Sequence, residues 1–330
     1  MADTSKKYCV HVFTGTGNSL HAARALKAAL EDKGACAAIA LIEKPQGCAM
    51  PAAAHVFMFP VYAACVPEIM LRHIGALPRA AGAKAAVLAT FGSMEPGKGG
   101  EEGYALEEAR AALSARGFDV FYTGVLAYPG NVTAMVNPPG PELAAKITAF
   151  SAAPLKAAAE AIFSETRVYK PCKPGMRAVS FITGGLFRHW GRKFMGKWFA
   201  ADSKCNSCGL CAASCPAGVI KMSGGRPVWN FACQSCQRCI NICPQKAIQV
   251  SLLRAALLTL TVLVPWHILF GLRGVWLPAA LAFNLASYLI VCVLADVVLT
   301  QLERIPALRP ALVFNLSAGR NRYLAEGFEP

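Results

Sequence analysis

The sequence predicts a doubly wound α/β domain on a five-stranded parallel sheet, then a small α+β cysteine-rich domain, then a C-terminal transmembrane helical hairpin. Three observations lead there. Residues 1–165 alternate short apolar runs with helical patterns, residues 205–251 hold two near-copies of one four-cysteine run, and two long apolar stretches follow residue 252. A chain of 330 residues has room for two or three domains. Its hydrophobic content of 55% points toward a membrane.

In the first segment the strand candidates are YCVHVF (8–13), ACAAIAL (35–41), HVFMF (55–59), KAAVLATF (84–91) and VFYTGVLAY (120–128). Helical patterns cover about 18–33, 66–77, 101–116 and 141–164. Unbroken apolar runs suit parallel strands buried on both faces, where polar alternation is not required.

The stretch FTGTGNS (13–19) follows the first strand and opens the first helix. Gly15 and Gly17 let the backbone turn tightly, while Thr14, Thr16, Asn18 and Ser19 offer hydroxyls and amides. Free N–H groups and the positive dipole end at a helix start make a phosphate site. Leu20 stands where a dinucleotide fingerprint has its third glycine, and no lysine completes a P-loop. The pattern resembles the phosphate loop of flavodoxins, which bind FMN. That resemblance implies flavin-ring loops after the third and fourth strands, where PVYAACVPEIM (60–70) and TFGSMEPGKGGEEGY (90–104) stand. It makes Thr14, Gly15, Thr16, Gly17, Asn18 and Ser19 the candidate phosphate residues. Val61, Tyr62, Phe91 and Gly92 become candidate ring contacts, with Tyr62 foremost and Tyr104 weaker. Cys65, in the same loop as Tyr62, is expected to be a small packing residue.

The runs CNSCGLCAASCP (205–216) and CQSCQRCINICP (233–244) each read C-x2-C-x2-C-x3-C-P and lie 28 positions apart. This is the two-cluster ferredoxin pattern, in which three close cysteines hold one [4Fe–4S] cube and the fourth serves the other cube. Cys205, Cys208, Cys211 and Cys243 are the expected ligands of one cluster, and Cys215, Cys233, Cys236 and Cys239 of the second. A zinc ribbon needs only four ligands, usually as two pairs, so two full runs weigh against it. The opening MADTSKKYCVHVF lacks an apolar signal core. That predicts a protein that is not secreted, whose fourteen cysteines are not a disulfide framework and whose clustered cysteines bind metal.

The net charge of +14 is uneven. Residues 1–165 balance fourteen basic against fourteen acidic groups, whereas 166–204 hold nine against one and 205–251 four against none. Lys204, Lys221, Arg226, Arg238 and Lys246 are placed to offset anionic clusters. The excess suits an acidic protein partner or an anionic membrane surface, and no nucleic-acid module accompanies it. In the linker, Ile182, Leu186, Trp190, Phe194 and Trp198 recur at helical spacing between Arg188, Arg192, Lys193 and Lys197. Such a basic amphipathic segment lies on a membrane surface or packs on the cysteine domain.

The stretches 255–272 and 276–299 approach the ~20 residues that cross a bilayer, and their short loop predicts an antiparallel hairpin. Arg254 before them and Arg304, Arg309, Arg320 and Arg322 after them place both ends in the cytoplasm. A buried helical hairpin in a soluble oligomer is the other reading. The expected segments are therefore 1–165, a linker 166–204, a ferredoxin domain 205–251, a hairpin 252–302 and a cytoplasmic tail 303–330.

Residues 6–250 as a whole resemble the flavodoxin–ferredoxin fusion family of anaerobic prokaryotes. The tail departs from it, because many members of that family look soluble. FMN exchanges electrons in pairs or singly and iron–sulfur clusters singly. The first expectation is therefore a membrane-anchored electron relay to or from a redox protein or a membrane redox component. The second is an FMN-dependent reductase of a small substrate, fed by its own clusters, and the third a docking subunit with vestigial cofactors. No catalytic dyad stands out. His11, His21, His55, His73 and His189 read as scattered structural or surface groups, and His267 as packed in a helix more than as a haem or quinone contact.

Overall fold

The computed structural model describes residues 6–44, 52–98, 102–313, 317 and 319–329. Residues 99–101 of the 90–104 stretch lie outside them. Five parallel strands form one sheet in the order β2-β1-β3-β4-β5. They are β1 (Lys7–Val12), β2 (Cys36–Leu41), β3 (Ala54–Pro60), β4 (Lys84–Ser93) and β5 (Asp119–Pro129). This is the flavodoxin-like order, with its switch point between β1 and β3. The apolar runs of β1, β3 and β4 are buried almost throughout, while β2 at the sheet edge is half-buried.

Helices cover both faces. One core joins α1 (Asn18–Glu31) and α5 (Ala152–Phe163) to the sheet through Leu20, Leu26, Leu30, Leu155 and Ile162. The other joins α2 (Glu68–Ala76) and α3 (Ala105–Ala115) to Phe13, Phe57 and Phe59. Each such side chain, fully buried, stabilises the fold by about 1.5–3 kcal/mol. The helix expected over 141–164 is two, α4 (Pro141–Phe150) and α5, divided at Ser151. Pro154 has no N–H to return to Phe150, so the helix stops and restarts.

Further along lie α6 (Met176–Leu186), a π-helical turn (Phe187–Gly191) and α7 (Arg192–Trp198). The cysteine region contains β6 (Phe199–Ala201), α8 (Leu210–Ala213), β7 (Ile220–Ser223), β8 (Arg226–Trp229), α9 (Arg238–Ile242) and β9 (Ile248–Val250). β6 pairs antiparallel with β9, and β7 with β8 across Gly224 and Gly225, both at positive φ. Two glycines at positive φ are what a two-residue hairpin turn requires.

The apolar tail contains α10 (Leu252–Leu260), a 3-10 turn (Thr261–Leu263), α11 (Trp266–Leu269), α12 (Leu277–Leu302) and α13 (Arg309–Leu312). The first expected membrane stretch is thus broken at Pro265, and among the described residues only α12, with 26 residues and a mean hydropathy of 2.1, is long and apolar enough to cross a bilayer. Arg254 at the start of α10 is buried and paired with Asp296 (2.7 Å) and Glu303 (2.6 Å) near the end of α12. This ties the two helices antiparallel. It also means that Arg254, read above as a flanking positive charge, is neutralised internally.

The chain divides into two compact units. The first comprises Met1–Gly191, Cys236–Ile242 and Arg320–Pro330, the second Arg192–Ser235 and Cys243–Gly319. The linker is split at residue 191, and both α9 and the end of the tail belong to the α/β unit. Along the amphipathic pattern Ile182, Leu186 and Trp190 are exposed, whereas Phe194 and Trp198 pack in the second unit with Leu258, Tyr288 and Cys292.

Candidate iron–sulfur and flavin sites

In the second unit, Cys205, Cys208, Cys211 and Cys243 line one hollow. Three come from the first run, and the fourth arrives from the end of the second run, the crossed arrangement expected from spacing. Burial, then the neighbouring Cys243, pushes the Cys211 thiol up to about 11. Four thiolates cannot gather there without a cation among them, so the donor set fits an iron cluster. The backbone carries the same repeat. Ser207 and Ser235, Gly209 and Gln237, and Gly218 and Lys246 all have positive φ at the 28-residue period. Side chains rarely adopt that conformation and keep it where surrounding structure demands it. It turns N–H groups toward sulfur: Ser235 N–H donates to Cys233 Sγ and Ala247 N–H to Cys243 Sγ, both at 3.3 Å. Such bonds tune cluster potentials.

Of the second expected ligand set, Cys236 and Cys239 belong to the first unit, and Cys215 and Cys233 to the second. Within the second unit, Arg192 donates to the Cys233 carbonyl at 2.9 Å, and Ser235 Oγ donates back to the Arg192 carbonyl. Gly196 meets Cys233 so closely that a Cβ there would collide with its side chain. The basic pattern of the linker thus contributes an anchor for the second run that spacing did not reveal.

The glycine loop lies at the switch point, where the carboxyl ends of β1 and β3 diverge. Residues 13–19 are all buried. Gly17, at φ 102°, caps α1, and its N–H donates to Thr14 Oγ1 at 3.0 Å. Asn131, beyond β5, donates to Thr16 Oγ1, Ser19 Oγ bonds Thr90 Oγ1 at 2.8 Å, and Asn18 donates to the Pro129 carbonyl. Among the described residues, none accepts from the backbone N–H of Gly15, Thr16, Asn18 or Ser19. Buried N–H groups without acceptors at a helix start fit a bound phosphate.

The surroundings of that loop were not legible. Arg238, expected to offset cluster charge, instead donates to the carbonyls of Thr14 (2.7 Å) and Gly15 (2.9 Å) and pairs with Glu43 at 2.6 Å. The C-terminal segment covers the loop. Ala325 N–H donates to the Thr16 carbonyl at 2.9 Å, Tyr323 Oη donates to Asn18 Oδ1, and a Cβ on Gly17 would lie 2.6 Å from Phe328. The loop has a phosphate's donors beneath a lid of its own chain.

Among the ring candidates, Val61 and Tyr62 are half-buried after β3, and Tyr62 meets Phe13 edge-on at 6.2 Å with its hydroxyl beside Gly15. Phe91 and Gly92 lie near the end of β4 beside β5, where Gly92 faces Gly130 rather than the glycine loop. Tyr104 packs edge-on against Phe181 of α6. Cys65 is buried, as expected, with its thiol donating to the Ser180 carbonyl. Burial pushes that thiol up to about 11, so it is inert.

One expectation about side chains fails. His11, His55 and His73 are not scattered: His11 lies 3.0 Å from each of the other two. Residues 62 positions apart met by folding, with no motif to announce them. Cys9 is disulfide-bonded, which by itself makes no disulfide framework of the fourteen cysteines.

Residues 204–248 match a family model described as a 4Fe-4S dicluster domain. That implies 4Fe–4S clusters. No curated protein matches the sequence. Solved structures similar to about half of this chain include a cysteine-to-serine mutant of flavodoxin from Pseudomonas aeruginosa. It is 13% identical, covering 49% of this chain and 99% of that one, with a TM-score of 0.35. Two-electron reduced flavodoxin from Megasphaera elsdenii is 14% identical, over 45% and 98%, with a TM-score of 0.27. An azoreductase from Bacillus anthracis is 14% identical, over 49% and 100%, with a TM-score of 0.34. Likenesses this distant assign no ligand, and the fold rests on the strand order itself. A flavodoxin-like domain joined to a 4Fe-4S dicluster segment is the make-up of an electron-transfer protein of the oxidoreductase type.

Proposed function

We propose that the protein is a membrane-anchored electron relay. It would hold FMN at the glycine loop and two [4Fe–4S] clusters at the cysteine runs, and exchange electrons with a redox protein or a membrane redox component. The convergence of Cys205, Cys208, Cys211 and Cys243 on one hollow carries this reading. FMN and clusters, when bound, supply paired and single electron exchange respectively. The chain's own residues bind and position. Gly15, Thr16, Asn18 and Ser19 would present N–H groups to the phosphate, Thr14 and Asn131 brace the turn, and Tyr62 stands beside it for the ring. Cys215, Cys233, Cys236 and Cys239 would hold the second cluster. No side chain is assigned a proton-transfer role.

Anchoring is supported by α12. It buries one stripe, including Tyr288, Cys292, Asp296 and Leu299, and exposes Leu281, Leu285, Ile290, Val293, Leu294 and Val298. So broad an apolar surface suits lipid better than water. The exposed Ile182 and Leu186 on the basic linker support a second contact with the lipid surface. The redox domains would then lie on the cytoplasmic face, the side that flanking arginines favour.

The test is anaerobic purification from membranes with iron, sulfide and flavin quantified. About eight irons and one FMN per chain are expected. Zinc in place of iron, or a chain without flavin, would overturn the corresponding half. Leu285→Lys with Ile290→Lys should release the protein from membranes. Turnover of a small substrate with a chemical reductant and no partner would favour the reductase reading.

A further inference from the structure

The imidazole cluster takes no part in the redox reading. Cys9 and His11 leave β1 two residues apart on one face of the sheet, and His55 is the register neighbour of Cys9 on β3. One ligand atom from each of Cys9, His11 and His55 lies within 4.8 Å of the other two. His11 Nε2 and His55 Nδ1 are 3.0 Å apart. Two ligands of a tetrahedral ion at ~2.0–2.1 Å stand about 3.3 Å apart, so a small adjustment admits one. The remaining nitrogen of His11, Nδ1, lies 3.0 Å from His73 Nε2 on α2. That is the place of an outer partner which fixes the tautomer of a ligating histidine. Phe57 holds the His11 ring from below, stacked at 4.6 Å and 6°.

His11 is buried, while His55 and His73 are part-exposed. The cysteine is the gate, because a sulfur in a disulfide is not a thiolate donor.

We propose that Cys9, His11 and His55 form a site for one zinc-class divalent cation once the Cys9 disulfide is reduced, with His73 as a positioning residue for His11. Two imidazoles and a thiolate select zinc-class ions over magnesium or calcium, and three protein ligands leave a fourth position for water. A water-soluble phosphine opens the site. It takes oxygen from water to become its oxide and leaves two thiols. Cys9 then gives its proton to solvent as the thiolate binds the cation.

The test uses the full chain with its iron loaded, under anaerobic conditions, equilibrated with buffered zinc before and after phosphine treatment. Zinc and iron are quantified together, and the zinc X-ray absorption edge gives the ligand shell. One zinc per reduced chain at unchanged iron is expected, with one sulfur and two imidazole nitrogens, and none in the oxidised chain. Cys9→Ser and His55→Ala should each weaken binding at least tenfold. His73→Gln should weaken it about 10–100-fold while leaving the shell intact. The proposal fails if the reduced, iron-loaded wild type retains no zinc, or if the zinc has an all-sulfur shell. Affinity unchanged in both Cys9→Ser and His55→Ala would also overturn it. The wild-type shell decides the matter even if a variant does not fold, and none of these results bears on the electron-relay reading.

Discussion

Cys205, Cys208 and Cys211 approach their hollow from within seven residues, and Cys243 joins them from the second copy of the same run. The glycine loop of residues 14–19 is finished by Arg238, 223 positions away from Gly15, and by Ala325 and Phe328 near the chain's end. The first site is built from its own spacing, the second from remote pieces that fold onto it. A local motif therefore announces its ligand. A loop whose neighbours come from afar announces only its backbone.

The largest test of that contrast is Cys243→Ser. Cross-ligation predicts that iron falls by about half while the α/β unit keeps its thermal midpoint. Full iron retention would mean that Cys243 is not a ligand. Next comes Arg238→Met, which leaves Glu43 buried without its partner and strips the Thr14 and Gly15 carbonyls of a donor. A loss of about 3–5 kcal/mol in the α/β unit is expected from denaturant titration. A neutral result would show that the loop does not depend on its distant cover.

Gly17→Ala should cost about 1–3 kcal/mol, because the residue sits at φ 102° and its Cβ would meet Phe328. Adding Phe328→Gly, which removes the Cβ that the new methyl would meet, should relieve that contact but not the backbone strain. A double-mutant cycle that shows no coupling would detach the C-terminal segment from the loop. The smallest effect lies away from both sites. Lys84, then Arg167, hold the Asp119 carboxyl below its ordinary value of 3.8. Since the folded state lowers this pKa, the stabilisation is fully present above 3.8 and disappears as pH falls from there through the lowered folded-state value. Asp119→Asn should cost about 0.2–1 kcal/mol at pH 7, less at high salt and nothing in strong acid.

The strands were legible because buried parallel strands need unbroken apolar runs, and all five appear within one to two residues of their expected ends. The helix break at Ser151 was also written locally, in Pro154, though periodicity across 141–164 concealed it. The hairpin was legible in composition but not in continuity, since Pro265 breaks the first apolar stretch into shorter helices. Arg254 looked like a topological flank and proved to be an internal counter-ion for Asp296 and Glu303, a pairing no window of sequence contains.

The order of apolar runs, the turn at Gly15 and Gly17 and the eight-cysteine repeat were determined by the sequence alone, because each depends on residues within a few bonds of one another. Tertiary structure decided the meeting of His11 with His55 and His73, the seat of Arg238 beneath the glycine loop, and the return of Phe328 over it. Those contacts join positions separated by 44 to more than 300 residues. Their partners are chosen by how the sheet and its covering helices pack, and short-range spacing carries no record of that choice.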